Sequence, residues 1–202
     1  MVTLLEELNF LKRYKEETFY LALSIADRYL VRVTVAQTQP PCLITLAVVA
    51  TLIAAKIEQP VSPSFIRMAH LVKEEWGVEV SKKELIDLED QVLLTLDFEL
   101  HHVSPLPFLE RFLRLYGLDL SPKQAECAPQ IQKLARKFIR TFVRETACLR
   151  FKQSQVAVSA LILALNVSLS PLGPKIGCQN VDTLRRILHS FHKESRQLSG
   201  SR

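Results

Sequence analysis

Apolar residues recur along this chain at the three- and four-residue spacing of a single helix face. No stretch alternates apolar and polar positions between hairpin turns, so the pattern predicts an all-α protein. In the first hundred residues it resolves into helices near 4–13, 17–33, 42–57, 63–73 and 81–96. The second half follows with helices near 105–115, 122–146, 153–168 and 181–194, interrupted by Ser170-Pro171 and Gly173-Pro174. Four helix starts have a chemical signature of their own. Ser62-Pro63, Ser104-Pro105 and Ser121-Pro122 each place a hydroxyl able to cap free N–H groups before a proline suited to the first helical position. Ser81 with Glu84 three residues later forms a capping box.

Two of these helices depart from the ordinary amphipathic pattern. Residues 43–57 are apolar or small on every side, which predicts a helix buried all round, and Lys56 in the last turn is the segment's single charge. A cation there is favoured by the negative end of the helix dipole, so solvation alone accounts for it. The helix at 81–96 carries an apolar stripe of Leu85, Leu88, Val92 and Leu96, and Glu89 falls inside it. Burying an unpaired carboxylate costs several kcal/mol, so Glu89 must either pair with a cation of this chain or lie where the stripe meets another protein.

Composition narrows the class without changing it. With 48% hydrophobic and 23% charged residues, five glycines and no low-complexity tract, 202 residues suffice for one large or two small globular domains. The longest weakly polar run, residues 42–55, is shorter than the roughly 20 residues a membrane span needs, and no partner membrane is expected. The first seven residues include two glutamates and no basic-then-apolar signal pattern, which points to an intracellular protein of the nucleus, the cytoplasm or both. Cys42, Cys127, Cys148 and Cys178 are too widely spaced for a zinc motif and His101-His102 has no ligand partner nearby, so neither a metal nor a cofactor is expected. No nucleotide loop, Ser/His/Asp set or metal-carboxylate cluster appears, and the chain does not read as an enzyme. Charge is uneven: residues 1–100 carry 10 lysines and arginines against 15 aspartates and glutamates, and residues 101–202 carry 16 against 6. That change of sign marks a candidate domain boundary.

Three segments of the first half then acquire a joint meaning. The second helix holds Glu17-Thr18-Phe19-Tyr20-Leu21-Ala22 and Ala26-Asp27-Arg28-Tyr29-Leu30, and the third ends Ala54-Ala55-Lys56-Ile57-Glu58-Gln59. The fifth supplies Leu88-Glu89, then Leu93, Leu96, Phe98 and Leu100. In this order and spacing they resemble the cyclin box, the five-helix module of cyclins. The resemblance implies a box over residues 1–101, with its first helix truncated. A second cyclin-like helical domain follows over 104–202, where Phe151-Lys152-Gln153-Ser154 and Val156 to Leu161 are similar to the third helix of the second fold, with Gln153 in place of the family's proline. It further implies a regulatory subunit that binds and activates a cyclin-dependent protein kinase. Lys56 and Glu89, with Ile57 and Glu58, would lie on the kinase side, and Asp27 and Arg28 would be the structural signature of the second helix. The alternative is a nucleic-acid-associated transcription factor with cyclin-like domains, suggested by Lys133, Arg136, Arg140 and Arg144 at helical spacing. Those charges lack interleaved aromatic residues, and they equally suit the solvated back of a helix whose other face is Ile131, Leu134, Phe138 and Phe142. A scaffold of stacked helix pairs ranks third, because no repeat of suitable period is present.

Complete cyclins begin with an arginine-containing Met-Arg-Ala-Ile-Leu segment and a tryptophan. Here Leu4 occupies the tryptophan position and the arginine that pairs with the family's buried aspartate is absent, so Asp27 is expected to be satisfied otherwise, for instance by Arg28 or a backbone donor. The same family segment builds a shallow apolar patch for substrates with Arg-x-Leu motifs, and the family's glutamine on the facing helix aligns with Ile44. Lacking the aromatic anchor, this chain is expected to bind Arg-x-Leu peptides weakly or not at all. Fluorescence anisotropy with a labelled peptide measures this, and saturable binding at low micromolar concentration would contradict it.

Overall fold

Burial of one helix on all sides organises the first half of the protein. The structure, a computed structural model, describes residues 1–61, 63–115, 128–145 and 150–169. These form eight α-helices: α1 Val2–Lys12, α2 Glu16–Val35, α3 Leu43–Glu58, α4 Phe65–Trp76, α5 Lys82–Thr95, α6 Pro105–Leu115, α7 Ala128–Phe142 and α8 Gln153–Leu169. No strand occurs among the described residues. The chain divides into two compact units, Met1–His102 and Val103–Arg202.

In the first unit α1, α2 and α5 all pack against α3. Every residue of α3 from Leu46 to Ala55 is buried. Alanines at 47, 50, 54 and 55 let neighbouring helices approach closely, while Leu46, Val48, Val49, Leu52 and Ile53 fill the space between them. The one polar side chain in this run, Thr51, is satisfied within the helix, its hydroxyl donating to the Ala47 carbonyl at 2.8 Å. Around it α2 contributes Phe19 and Tyr20, whose rings meet edge to face with centroids 5.0 Å apart, and α1 contributes Leu5 and Leu8.

Helix ends follow local chemistry where that chemistry is complete. At Ser81 both halves of the capping box form: the Glu84 N–H donates to Ser81 Oγ at 3.1 Å, and the Ser81 N–H donates to Glu84 Oε2 at 2.6 Å. Pro105 opens α6 with the Ser104 hydroxyl accepting from the Leu106 N–H at 3.4 Å. The expectation at Ser62-Pro63 fails: α4 begins at Phe65 with Ser64 as its N-cap, so Pro63 precedes the helix instead of opening it. Gly77 ends α4 at φ +66, a conformation glycine adopts without strain. Past α5, Asp97 and Phe98 both take positive φ, 53° and 57°, and turn the chain sharply.

In the second unit α8 packs against both α6 and α7, burying Leu106, Leu109 and Leu113 of α6 beside Val156, Ala157, Leu161, Ala164 and Leu165 of α8. The core face of α7 is Ile131, Ala135 and Ile139; Leu134, Phe138 and Phe142 are only half-buried at its margin, a correction of about one residue step in the predicted face. The helix start at Ser121-Pro122 and the helix at 181–194 lie outside the described residues.

Because α3 has no solvated side between Leu46 and Ala55, Leu46→Asp or Ile53→Asp buries an unpaired charge. Its cost of several kcal/mol is comparable with the roughly 5–15 kcal/mol that stabilises a whole domain. Loss of the cooperative transition in a circular dichroism melt is the expected result. A sharp transition near that of the parent would show that the helix has an exposed face.

Candidate functional site

Lys56 is the first side chain of α3 to leave the core, one residue after Ala55 and in the last turn. From there a four-carbon stem reaches across to α5, which packs against α3 and presents Glu89 between Leu88 and Val92. Lys56 Nζ donates to both Glu89 oxygens, at 2.7 Å to Oε1 and 2.6 Å to Oε2. The two ends of the pair differ in environment. The Glu89 side chain is 10% exposed and that of Lys56 is 34% exposed, so the carboxylate sits at the floor and the ammonium at the rim. Of the two possibilities left open for Glu89, an intramolecular cation is present. An ammonium has three donors, and the two contacts to Glu89 account for two of them.

Two further contacts hold this corner. The Phe65 ring, at the start of α4, lies 4.7 Å from Lys56 Nζ, within the range of a cation–π contact. Gln59, capping the end of α3, donates from Nε2 to the Thr18 hydroxyl at 2.6 Å, and Thr18 is fully buried at the start of α2. Neither contact was legible in the sequence, since no spacing rule connects Phe65 to Lys56 or Gln59 to Thr18. Of the other residues expected here, Ile57 is 52% exposed and Glu58 is half-buried.

Asp27 and Arg28 belong to a different corner, where α2 meets the chain leaving α5. Arg28 Nε donates to the Ser24 carbonyl at 3.3 Å and Nη1 to the Glu99 carbonyl at 2.6 Å. Arg32, one turn on, donates to the Thr95 carbonyl and to Asp97 Oδ2 at 2.6 Å. The two arginines thereby brace the turn with the positive φ angles, and Arg32 could have been suspected from its i+4 relation to Arg28. The suggestion that Arg28 satisfies Asp27 is corrected: successive residues on a helix point about 100° apart, and the Arg28 guanidinium is drawn to the α5 exit. Burial pushes the Asp27 carboxyl above its ordinary value, and the nearby α-amino group of Met1 acts in the opposite direction without reversing the shift.

The basic row on α7 is not continuous. Arg136 Nη2 is bound to Glu110 Oε1 at 2.9 Å, and Arg144 lies beyond Phe142, where the helix ends. Among the described residues no three His, Cys, Asp or Glu side chains gather as a metal site, and no helix is long and apolar enough to cross a membrane.

With the geometry in place, comparison with known proteins defines the class. The family model described as "Cyclin, N-terminal domain" matches residues 1–101, and "Cyclin, C-terminal domain" matches residues 103–196. The chain belongs to the cyclin family. It is 29% identical over 164 residues to a G2/mitotic-specific cyclin-B of Emericella nidulans, an alignment covering 81% of this chain and 31% of the relative. It is 30% identical over 153 residues to a putative cyclin-A3-1 of Arabidopsis thaliana, covering 73% of this chain and 39% of the relative. The chain thus spans about a third of the length of these relatives. The fold is that of a viral cyclin from herpesvirus saimiri, with a TM-score of 0.67 at 17% identity over 94% of this chain and 83% of the other.

The raised pKa of Asp27 has a definite sign for stability. Below its ordinary value of about 3.8 the carboxyl is protonated whether the chain is folded or not. As pH rises past that point the unfolded chain releases the proton while the folded chain holds it, so this group's contribution falls until the folded pKa is passed, and stays lower above it. Asp27→Asn should therefore raise the melting midpoint at pH 7, with the gain shrinking to nothing below about pH 3.8. Parallel melting curves of parent and variant across that range check this.

Proposed function

We propose that this chain is a regulatory subunit that binds and activates a cyclin-dependent serine/threonine protein kinase in cell-cycle control. The observation that carries the proposal is the preformed Lys56–Glu89 pair at the end of a helix buried all round, in a member of the cyclin family. Supporting it, the pair has an apolar border. Ile57 is 52% exposed beside Lys56, and Leu93, four residues after Glu89 and so on the same face of α5, is half-buried. An apolar surface around a charged centre suits a partner helix that buries side chains while its backbone meets the charge. The relatives named as G2/mitotic-specific cyclins support the cell-cycle assignment.

The mechanism is one of binding. A protein kinase needs a lysine–glutamate ion pair between a strand and its regulatory helix, and the position of that helix is what an activating partner controls. The cyclin contributes contact free energy that is larger for the active arrangement than for the inactive one, which shifts the kinase population. The remaining N–H of Lys56 is placed to donate to a partner carbonyl, and Glu89 fixes the direction in which it does so. No bond is made or broken by this chain.

Lys56→Ala and Glu89→Ala are each expected to weaken binding to a cognate kinase by roughly 1–4 kcal/mol. Calorimetric titration against a panel of recombinant cyclin-dependent kinases measures it, and parent-like binding by both variants would remove this face from consideration. Their stabilities should differ as well. Lys56→Ala strands a buried carboxylate, at about 1–3 kcal/mol for an unsatisfied buried group. Glu89→Ala frees a cation that can turn to solvent, so Lys56→Ala should show the lower melting midpoint.

A further inference from the structure

We infer that Phe65 is a positioning residue for kinase docking, holding the Lys56 ammonium over Glu89 so that its free N–H is presented in one direction; the inference rests on the kinase-face assignment of Lys56 and Glu89. Lys56 stands at the end of α3 with a long stem whose side chain is 34% exposed, and an unrestrained lysine of that kind samples many rotamers. The Glu89 carboxylate draws the ammonium inward from one side. It does not by itself stop the stem from swinging outward to water. The Phe65 ring lies on another side of the ammonium, 4.7 Å from Nζ. An aromatic face attracts a cation through its quadrupole and offers an N–H at most a weak N–H···π contact, so it limits where Nζ can go while a partner carbonyl, a stronger acceptor, can still take that donor.

Local structure makes this placement possible. Because α4 begins at Phe65, the ring is carried by the first helical residue, and it is half-buried. The end of α3 is also tied to α2 by the Gln59–Thr18 hydrogen bond, so the backbone that carries the Lys56 stem is held in place. Lysine, carboxylate and ring thus come from three helices, α3, α5 and α4, each anchored by its own buried residues. Rotamer entropy surrendered in the free protein is not lost again on binding, which is how preorganisation raises affinity.

The test is a double-mutant cycle on the full chain with the tightest-binding member of a cyclin-dependent kinase panel. Phe65→Leu keeps apolar bulk and removes the quadrupole, and should lower affinity by roughly 3- to 10-fold, while Phe65→Tyr should restore it. In a Lys56→Met background Phe65→Leu should have no further effect, since no cation remains to be held. In the free protein, the Lys56 ε-methylene proton signals should be shifted upfield by the ring, and Phe65→Leu should abolish that shift while Phe65→Tyr retains it. Thermal melts identify any loss of affinity due to unfolding, and the proton signals of the folded parent and Phe65→Tyr protein decide between the outcomes even where Phe65→Leu fails to fold. If Lys56→Met weakens binding but Phe65→Leu does not, or weakens it equally in both backgrounds, the positioning role is overturned and the kinase face stands. If Lys56→Met binds as the parent does, the kinase face falls and the inference with it. An absent upfield shift in the parent also overturns the positioning role.

Discussion

A helix with no solvated side can carry charge only where it ends. In α3 the ten residues from Leu46 to Ala55 are closed off by α1, α2 and α5, and Lys56 is the point at which the helix reaches water again. Much of the first unit follows from that constraint. Small residues along α3 bring its neighbours close, the single hydroxyl in the run has to be satisfied by its own helix, and α5 must pack so that its stripe meets apolar surface. Once α5 is seated, the Glu89 side chain keeps only 10% of its surface, and the cation it meets is the lysine at the end of α3.

The ion pair that results is expected to add little net stability. Removing a carboxylate and an ammonium from water costs several kcal/mol per ion if both are fully buried, and an apolar pair of similar volume would often stabilise the fold equally well. Here the penalty is reduced on the lysine side, whose side chain keeps 34% of its surface, and the carboxylate is compensated by donors to both of its oxygens. The arrangement therefore keeps a cation at the surface, bound to a buried carboxylate, at modest cost to the core. The arginine brace at the other end of α5 differs in kind. Arg28 and Arg32 each donate to one backbone carbonyl in the segment 95–99, that of Glu99 and that of Thr95, and Arg32 also pairs with the Asp97 side chain, which secures the turn.

The capping box at Ser81 was legible because both partners lie within four residues, and the capping serine and proline at the start of α6 are adjacent in the chain. Pro63 misled because a proline before a helix and a proline opening one look alike, and the apolar pattern at Phe65 and Met68 does not distinguish the two starts. The core face of α7 was displaced for a related reason. Ile131, Ala135 and Ile139 are buried with the half-buried Leu134, Phe138 and Phe142 beside them, and an apolar band this broad does not show by spacing alone which of its edges faces the core. At the candidate site, Glu89 stood out as a carboxylate within an apolar stripe and Lys56 as the lone charge of an apolar helix. Phe65, Thr18 and Gln59 gave no such signal.

The sequence by itself determined the all-helical class, the buried character of α3 and the two charges that do not fit their surroundings, because periodicity and end-capping act over a few residues along one helix. Only the tertiary structure decided which groups those charges meet. Lys56 and Glu89 are separated by 33 positions, Arg28 and the Glu99 carbonyl by 71, and Arg32 and the Thr95 carbonyl by 63. Contacts over such distances are set by how helices seat against a common core. Asp27 and Arg28, adjacent in the chain yet turned toward different surroundings by the rotation of a single helical step, show why neighbourhood in sequence cannot stand in for it.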